Sequence, residues 1–152
     1  MDYPIRFATL ADQAEIARLF TVLGHPCSAS DVAARWDAWT AEGNRALVAE
    51  GEDGTLAGIA TLHSMRVLHK MLPIGRVTAL VVDTHLQGSG IGRQLMQAAE
   101  AQVTADGCGS MEITSHVDRV KAHAFYQGID YAITSVRLNK VMPAVVANYS
   151  GA

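Results

Sequence analysis

A chain of 152 residues, 49% hydrophobic and 18% charged, is long and apolar enough to bury a core without metals or disulfides, and it is not a disordered segment. Its 12 basic and 15 acidic side chains leave a net charge of −3, which carries no footprint for nucleic acid. Cys27 and Cys108 stand far apart, outside any C-x-x-C or Cys/His cluster, so neither a disulfide framework nor a metal site is expected.

Ile5 to Ala8 reads as a short first strand. Ile16, Leu19, Phe20 and Leu23 recur at helical spacing until Gly24 and Pro26 stop the helix. Ser28 or Ser30 caps a second helix, where Val32, Trp36 and Trp39 share one face up to Gly43. That spacing is what core packing produces and core is the expected role of both tryptophans, with the lining of a pocket as the alternative. Arg45 to Gly51 and Thr55 to Leu68 read as strands around the turn signal Asp53-Gly54. His69 to Gly75 is a loop, and Arg76 to Val82 is an apolar strand buried on both faces.

A third helix runs from Ile91 to about Asp106, with Ile91, Leu95, Ala98, Ala99 and Val103 inward. Gly107-Cys108-Gly109 breaks it, Ser110 to Ser115 is a further strand, and Val117, Val120 and Ala124 mark a fourth helix ending at Gly128. Tyr131 to Val141 reads as extended, split near Thr134 and Ser135, and residues 142–152 form a tail. The expectation is a single α/β domain over residues 1–152, with a mixed sheet of about six or seven strands and helices on both faces. No apolar run is long enough to span a bilayer, and Met1-Asp2-Tyr3-Pro4 begins no signal peptide, so a cytoplasmic location is expected.

Gln87-Gly88-Ser89-Gly90-Ile91-Gly92 carries the most chemistry. It joins an apolar strand to a helix start, where unpaired N–H groups and the helix dipole together receive phosphate oxygens. Gly88, Gly90 and Gly92 keep Cβ atoms away from an approaching pyrophosphate. A mononucleotide loop needs Gly-Lys-Ser/Thr, whereas Gly92-Arg93-Gln94 stands here; a dinucleotide loop needs G-x-G-x-x-G, and Arg93 breaks that spacing.

Two motifs in register resemble the GNAT acyl-CoA N-acyltransferases. One is this turn, after a strand ending in Val81-Val82-Asp83. The other is Ala122-His123-Ala124-Phe125-Tyr126, followed by Gly128 and Tyr131. Thr61-Leu62-His63 through His69, and Thr114-Ser115 through Arg119 to Tyr126, resemble the aminoalkylphosphonate acetyltransferase branch more closely. The resemblance implies that acetyl-CoA is the acyl donor, wedged between the strands ending at Val82 and Ser115. Leu80, Val81 and Val82 would pair with its pantetheine arm. Gln87, Gly88, Ser89, Gly90, Ile91, Gly92 and Arg93 would hold its pyrophosphate, with Arg119 in contact. Tyr126 would touch the cofactor and protonate its leaving sulfur. The acceptor would be the primary amine of a small molecule, with neither nucleic acid nor membrane as partner. The likeness extends to a homodimer.

Family members of this type often carry a carboxylate at the positions of Thr78 and Ala79, which are neutral here. His63, His69, His85, His116 and His123 titrate in the range a base requires. His123, one helical turn before Tyr126, suits a hydrogen-bonding or packing role rather than that of the base. Arg66, His69 and Lys70 form a basic cluster that can attract an anionic acceptor. Neither cysteine neighbours a histidine in sequence, so direct attack on the thioester is expected rather than an acetyl-cysteine. Two competing readings stand beside this one. Neutral Thr78 and Ala79, with Asp130 where relatives carry Gly, suit an acyl-CoA-binding protein without turnover. A protein N-terminus or lysine is the alternative acceptor.

Overall fold

A computed structural model describes residues 2–143, so most of the expected tail, residues 144–152, lies outside the described residues. The chain divides into two compact units, Met1–Ile113 and Thr114–Ala152.

The first unit holds β1 (Ile5–Phe7), α1 (Gln13–Leu23), α2 (Ala29–Ala41), β2 (Arg45–Glu50), β3 (Leu56–Met65), β4 (Ile74–Val82), α3 (Ile91–Ala105) and β5 (Ser110–Ile113). The strands form one sheet in the order β1-β2-β3-β4-β5. The first four run antiparallel to their neighbours, and β5 joins β4 in parallel. Ser28 rather than Ser30 caps α2: its Oγ accepts from the Asp31 N–H at 3.1 Å, and the Asp31 carboxylate accepts from the Ser28 N–H at 2.9 Å.

Strand alternation splits the core into two layers. Ala46, Val48 and Ile59 pack with Ile16, Ala17 and Leu19 of α1 and Val32 of α2. Trp36 and Trp39, their rings 5.5 Å apart, are half-buried against this cluster. Residues of opposite parity face α3, whose buried stripe is Ile91, Leu95, Met96, Ala99 and Val103. Met96 takes the inward place expected of Ala98, which is half-buried. Helices thus cover both faces, as the sequence predicts. α3 lies close enough that a Cβ on Gly75 would stand 2.6 Å from Val103 Cγ1.

The second unit contains α4 (Val120–Gln127). It starts later than the apolar spacing suggests, and both Val117 and Val120 are exposed. Five strands form among the described residues, not the larger sheet of about six or seven expected from sequence. The missing ones lie in Tyr131–Val141, where no strand is present. Ile133, Val136 and Leu138 stand 72%, 86% and 92% exposed. β-branched composition gives strand propensity, but propensity makes no ladder without a partner edge and a buried face.

Candidate active site

A register shift organises the first unit's site. Between β3 and β4 the pairing runs from Gly58↔Val82 to Thr61↔Ala79, then resumes at Leu62↔Val77. Thr78 is the extra residue of a β-bulge, which bends its strand and increases the local twist. The parallel ladder from β4 to β5 ends at the same place, with Val77↔Ile113 its last pair. From Thr78 to Val82, β4 therefore keeps β3 on one side and has no strand on the other among the described residues. Leu80, Val81 and Val82 lie on this stretch. Free strand backbone of this kind pairs with an extended, amide-bearing ligand as it would with another strand.

The chain then enters a short 3₁₀ turn, Thr84–Leu86, and the glycine turn. Gly88 and Gly90 take φ of 84° and 90°, a left-handed backbone that favours glycine, and a Cβ on either would point into open space. Gln87 Nε2 donates to the Val82 carbonyl at 3.3 Å, and the Ser89 hydroxyl donates to the Leu86 carbonyl. Gly90 caps α3 without a side-chain bond, and Ile91, Gly92 and Arg93 form the first helical turn, whose N–H groups have no acceptor within the helix. Ile91 is buried and fixes the helix to the sheet, while Gln87 to Gly90 and Arg93 are exposed. The arrangement is an exposed helix start with unpaired backbone donors at the positive end of a 15-residue helix, which fits a pyrophosphate.

Sequence inspection misses what holds this corner in place. Arg18 of α1 donates to Asp83 at 2.8 Å, to Glu15 at 2.7 Å and to the Leu56 carbonyl at 2.8 Å. Glu15 accepts the Leu56 N–H at 2.8 Å, and the Asp83 N–H reaches the Ala57 carbonyl at 2.9 Å. The guanidinium beside Glu15 holds that carboxyl below its usual range, and Arg18 is raised in turn. α1 is thereby clamped to the end of β4, one residue beyond Val82. A pair of residues 65 apart in sequence leaves no local pattern to read.

No carboxylate stands at the bulge. Thr78 Oγ1 instead meets Thr61 Oγ1 at 2.7 Å. Two rungs on, His63 pairs in register with Arg76, whose Nη2 lies 3.2 Å from Glu112, and His63 Nδ1 and Arg76 Nε are buried without a hydrogen-bond partner. His69 and His85 are exposed, as are Arg66 and Lys70 of the basic cluster. Burial pushes the Cys27 thiol above its ordinary pKa, which disfavours the thiolate that covalent catalysis needs.

In the second unit, Ser115 follows two residues after β5, Arg119 is the N-cap of α4, and Tyr126 lies in its last turn. Tyr126 stacks edge-on with Phe125 and Tyr131 at centroid distances of 5.3 and 6.2 Å. Burial raises its phenol pKa, opposed in part by the charge of Arg119. The group therefore keeps its proton at neutral pH, as an acid must. His123 Nε2 lies 3.0 Å from the His116 carbonyl, consistent with a hydrogen-bonding role. α4 closes in a Schellman motif: the Tyr131 N–H reaches the Tyr126 carbonyl at 3.0 Å, and the Asp130 N–H reaches Gln127 at 3.3 Å.

Residues 12–131 match the acetyltransferase (GNAT) family. The chain belongs to that family. It is 31% identical over 90 residues to an aminoalkylphosphonate N-acetyltransferase of Salmonella typhimurium, a stretch covering 59% of this chain and 58% of that protein. Over 89 residues it is also 31% identical to an aminoglycoside N(6')-acetyltransferase type 1 of Stenotrophomonas maltophilia, with the same coverage. The alignments thus span less than two thirds of either relative. Among solved structures, an acetyltransferase of Trypanosoma brucei superposes with a TM-score of 0.81 at 20% identity, covering 93% of this chain and 100% of that one, which shows a shared fold. The GNAT match runs through both compact units and contains the glycine turn and the Tyr126 helix. Asp130 adopts φ 72°, a left-handed backbone that favours glycine.

Proposed function

We propose that this chain is an acetyl-CoA-dependent N-acetyltransferase that transfers acetyl to the primary amine of a small molecule by direct attack. The observation that carries the reading is the coincidence of two features on one strand. β4 loses its β5 neighbour at Thr78, and ten residues later the chain reaches Gly88, the first left-handed glycine of the turn that opens α3. An unpaired strand edge leading to an anion receptor suits a ligand with amides along its arm and a diphosphate at its end.

In this reading Leu80 to Val82 align the pantetheine amides, and Gly88 to Arg93 hold the diphosphate. When bound, the donor supplies the thioester carbonyl. The amine nitrogen attacks the carbonyl carbon, the C–S bond breaks, and Tyr126 delivers its phenolic proton to the departing sulfur. The proton lost by the amine passes to solvent water, which also restores Tyr126. The exposed bulge at Thr78 leaves that point open to water. Holding both substrates in one place supplies much of the acceleration by itself.

The reading is tested by thiol release from acetyl-CoA across a panel of amines, with acetyl-CoA affinity measured in parallel by calorimetry. Tight binding with amine-dependent thiol release is the expected result. Tight binding without release from any amine gives the non-catalytic acyl-CoA-binding reading instead. Absence of binding removes both.

A further inference from the structure

A cavity of about 220 Å³ opens in the first unit between the α1–α2 layer and the sheet. Phe20, Val32, Trp36 and Trp39 line it from the helices, and Thr61 lines it from β3. Among the described residues, Arg35 is the only charged side chain in the lining, and no carboxylate lines it. Well-packed interiors seldom hold a void larger than a water, and an apolar void of ~150 Å³ is enough to take up a benzene ring. The aromatic walls make this one a receptor for an apolar body.

Its position relative to the bulge gives the occupant a direction. Thr61, the neutral hydroxyl in the lining, is bonded through its Oγ1 to Thr78 Oγ1 at 2.7 Å. Thr78 is the residue at which β4 parts from β5. A molecule lying against the tryptophans therefore has its polar end at the hydroxyl pair beside the open edge of β4. At the rim, the Arg35 guanidinium repels a second ammonium group, and no acid is present to bind one.

We propose that this cavity is the acceptor subsite, and that the acceptor is a monoamine on an aromatic or branched aliphatic body, its nitrogen toward Thr61 and Thr78. This rests on the acetyl-transfer reading only in naming the occupant an acceptor. A polycationic aminoglycoside and a small, fully polar aminophosphonate both fit this lining poorly: the first lacks anionic partners, and the second leaves the aromatic walls wet.

The chain has two tryptophans, both in this lining, and Cys27 lines it as well, whereas Cys108 does not. Occupancy can therefore be read without turnover. 2-Phenylethylamine is titrated against intrinsic tryptophan emission, and Cys27 labelling by a maleimide is followed with Cys108 as internal control. Thiol release is measured with 2-phenylethylamine, 2-aminoethylphosphonate and kanamycin. The expected result is a saturable emission change, protection of Cys27 alone, and kcat/KM at least tenfold higher for 2-phenylethylamine than for the other two. Arg35→Glu, at an exposed position, should shift the kcat/KM ratio toward kanamycin by about tenfold or more, since each tenfold is ~1.4 kcal/mol of differential binding. Emission change and protection without thiol release from any amine keep the cavity as an amine site and remove acetyl transfer. Turnover of the polar amines, with neither emission change nor protection by 2-phenylethylamine, keeps acetyl transfer and overturns the subsite.

Discussion

Asp130 sits at φ 72°, a conformation that costs an L-residue with a Cβ, though Asp tolerates it better than most. Asp130→Gly should therefore raise stability, by roughly 0.5–1 kcal/mol, and leave acetyl transfer unaltered. A thermal melt and one kcat measurement check both halves; a drop in melting temperature would show the aspartate to be contributing more than backbone geometry. Tyr126 carries the opposite expectation. Its raised pKa keeps the phenol protonated at neutral pH, and activity that depends on it should fail only where the group ionises, above its ordinary value of 10. Tyr126→Phe should lower kcat by about 10²- to 10⁴-fold, with little change in the melt. Undiminished turnover would remove the acid. At this scale the sequence exposes residue types in motifs, so Tyr126 and the glycines are legible. It conceals partners, so the Thr61–Thr78 hydroxyl pair that stands in place of a carboxylate is visible only in the folded chain.

Among the elements, α1 and α3 position the candidate site from opposite faces of the sheet. Arg18 of α1 ties the end of β4 to the start of β3. Arg18→Met leaves the Leu56 carbonyl and the Glu15 and Asp83 carboxylates short of a donor, at a cost of roughly 1–3 kcal/mol. Because Val82 directly precedes that tie and the glycine turn follows it, acetyl-CoA affinity should weaken along with the melt; a destabilised variant with unchanged affinity would separate the clamp from the site. On the other face, α3 approaches β4 at Gly75, where a Cβ would lie 2.6, 2.7 and 2.9 Å from Val103 Cγ1, Cβ and Cγ2. Gly75→Ala should cost about 1–3 kcal/mol through overpacking. Val103→Ala removes two of the three carbons in the way, Cγ1 and Cγ2, and keeps the Cβ at 2.7 Å, so the double variant should recover part of the overpacking cost, with a coupling of about 0.5–1 kcal/mol. Urea melts of the four proteins measure it, and simple additivity would place the conflict elsewhere. Periodicity predicts α3 nearly to the residue and places the end of α1, because each buries a stripe along its own length. It says nothing about which glycine the stripe of α3 meets.

For the molecule as a whole, the alternation of strands and helices was readable because each segment carries its own period, and that pattern alone places helices on both faces. The β-bulge and the parting of β4 from β5 were not, since both are properties of pairing between distant segments. Tyr131–Val141 shows the reverse error: a strand-like composition that pairs with no strand among the described residues. The same long-range logic governs how the fold meets acid. Asp106 accepts from Arg45 of β2, from Ser64 of β3 at 2.8 Å and from Gln102 of α3 at 3.1 Å. The Arg45 guanidinium is the main cause that holds its pKa down at about 2, against an ordinary 3.8. Arg6 lowers Asp12 in the same way, and Arg18 lowers Glu15. A carboxyl with a depressed folded pKa binds fewer protons than its unfolded counterpart, so stability rises with pH across that interval. The contribution of Asp106 is fully present above 3.8 and is lost as pH falls through about 2. The melting temperature should accordingly be flat from about pH 7 to pH 5 and fall steadily below it. Asp106→Asn should melt lower at neutral pH and lose less between pH 4 and 2, because the group whose protonation drives part of the fall is gone. Parallel curves for the two proteins across that range would mean that Asp106 is as easily protonated in the folded chain as in the unfolded one.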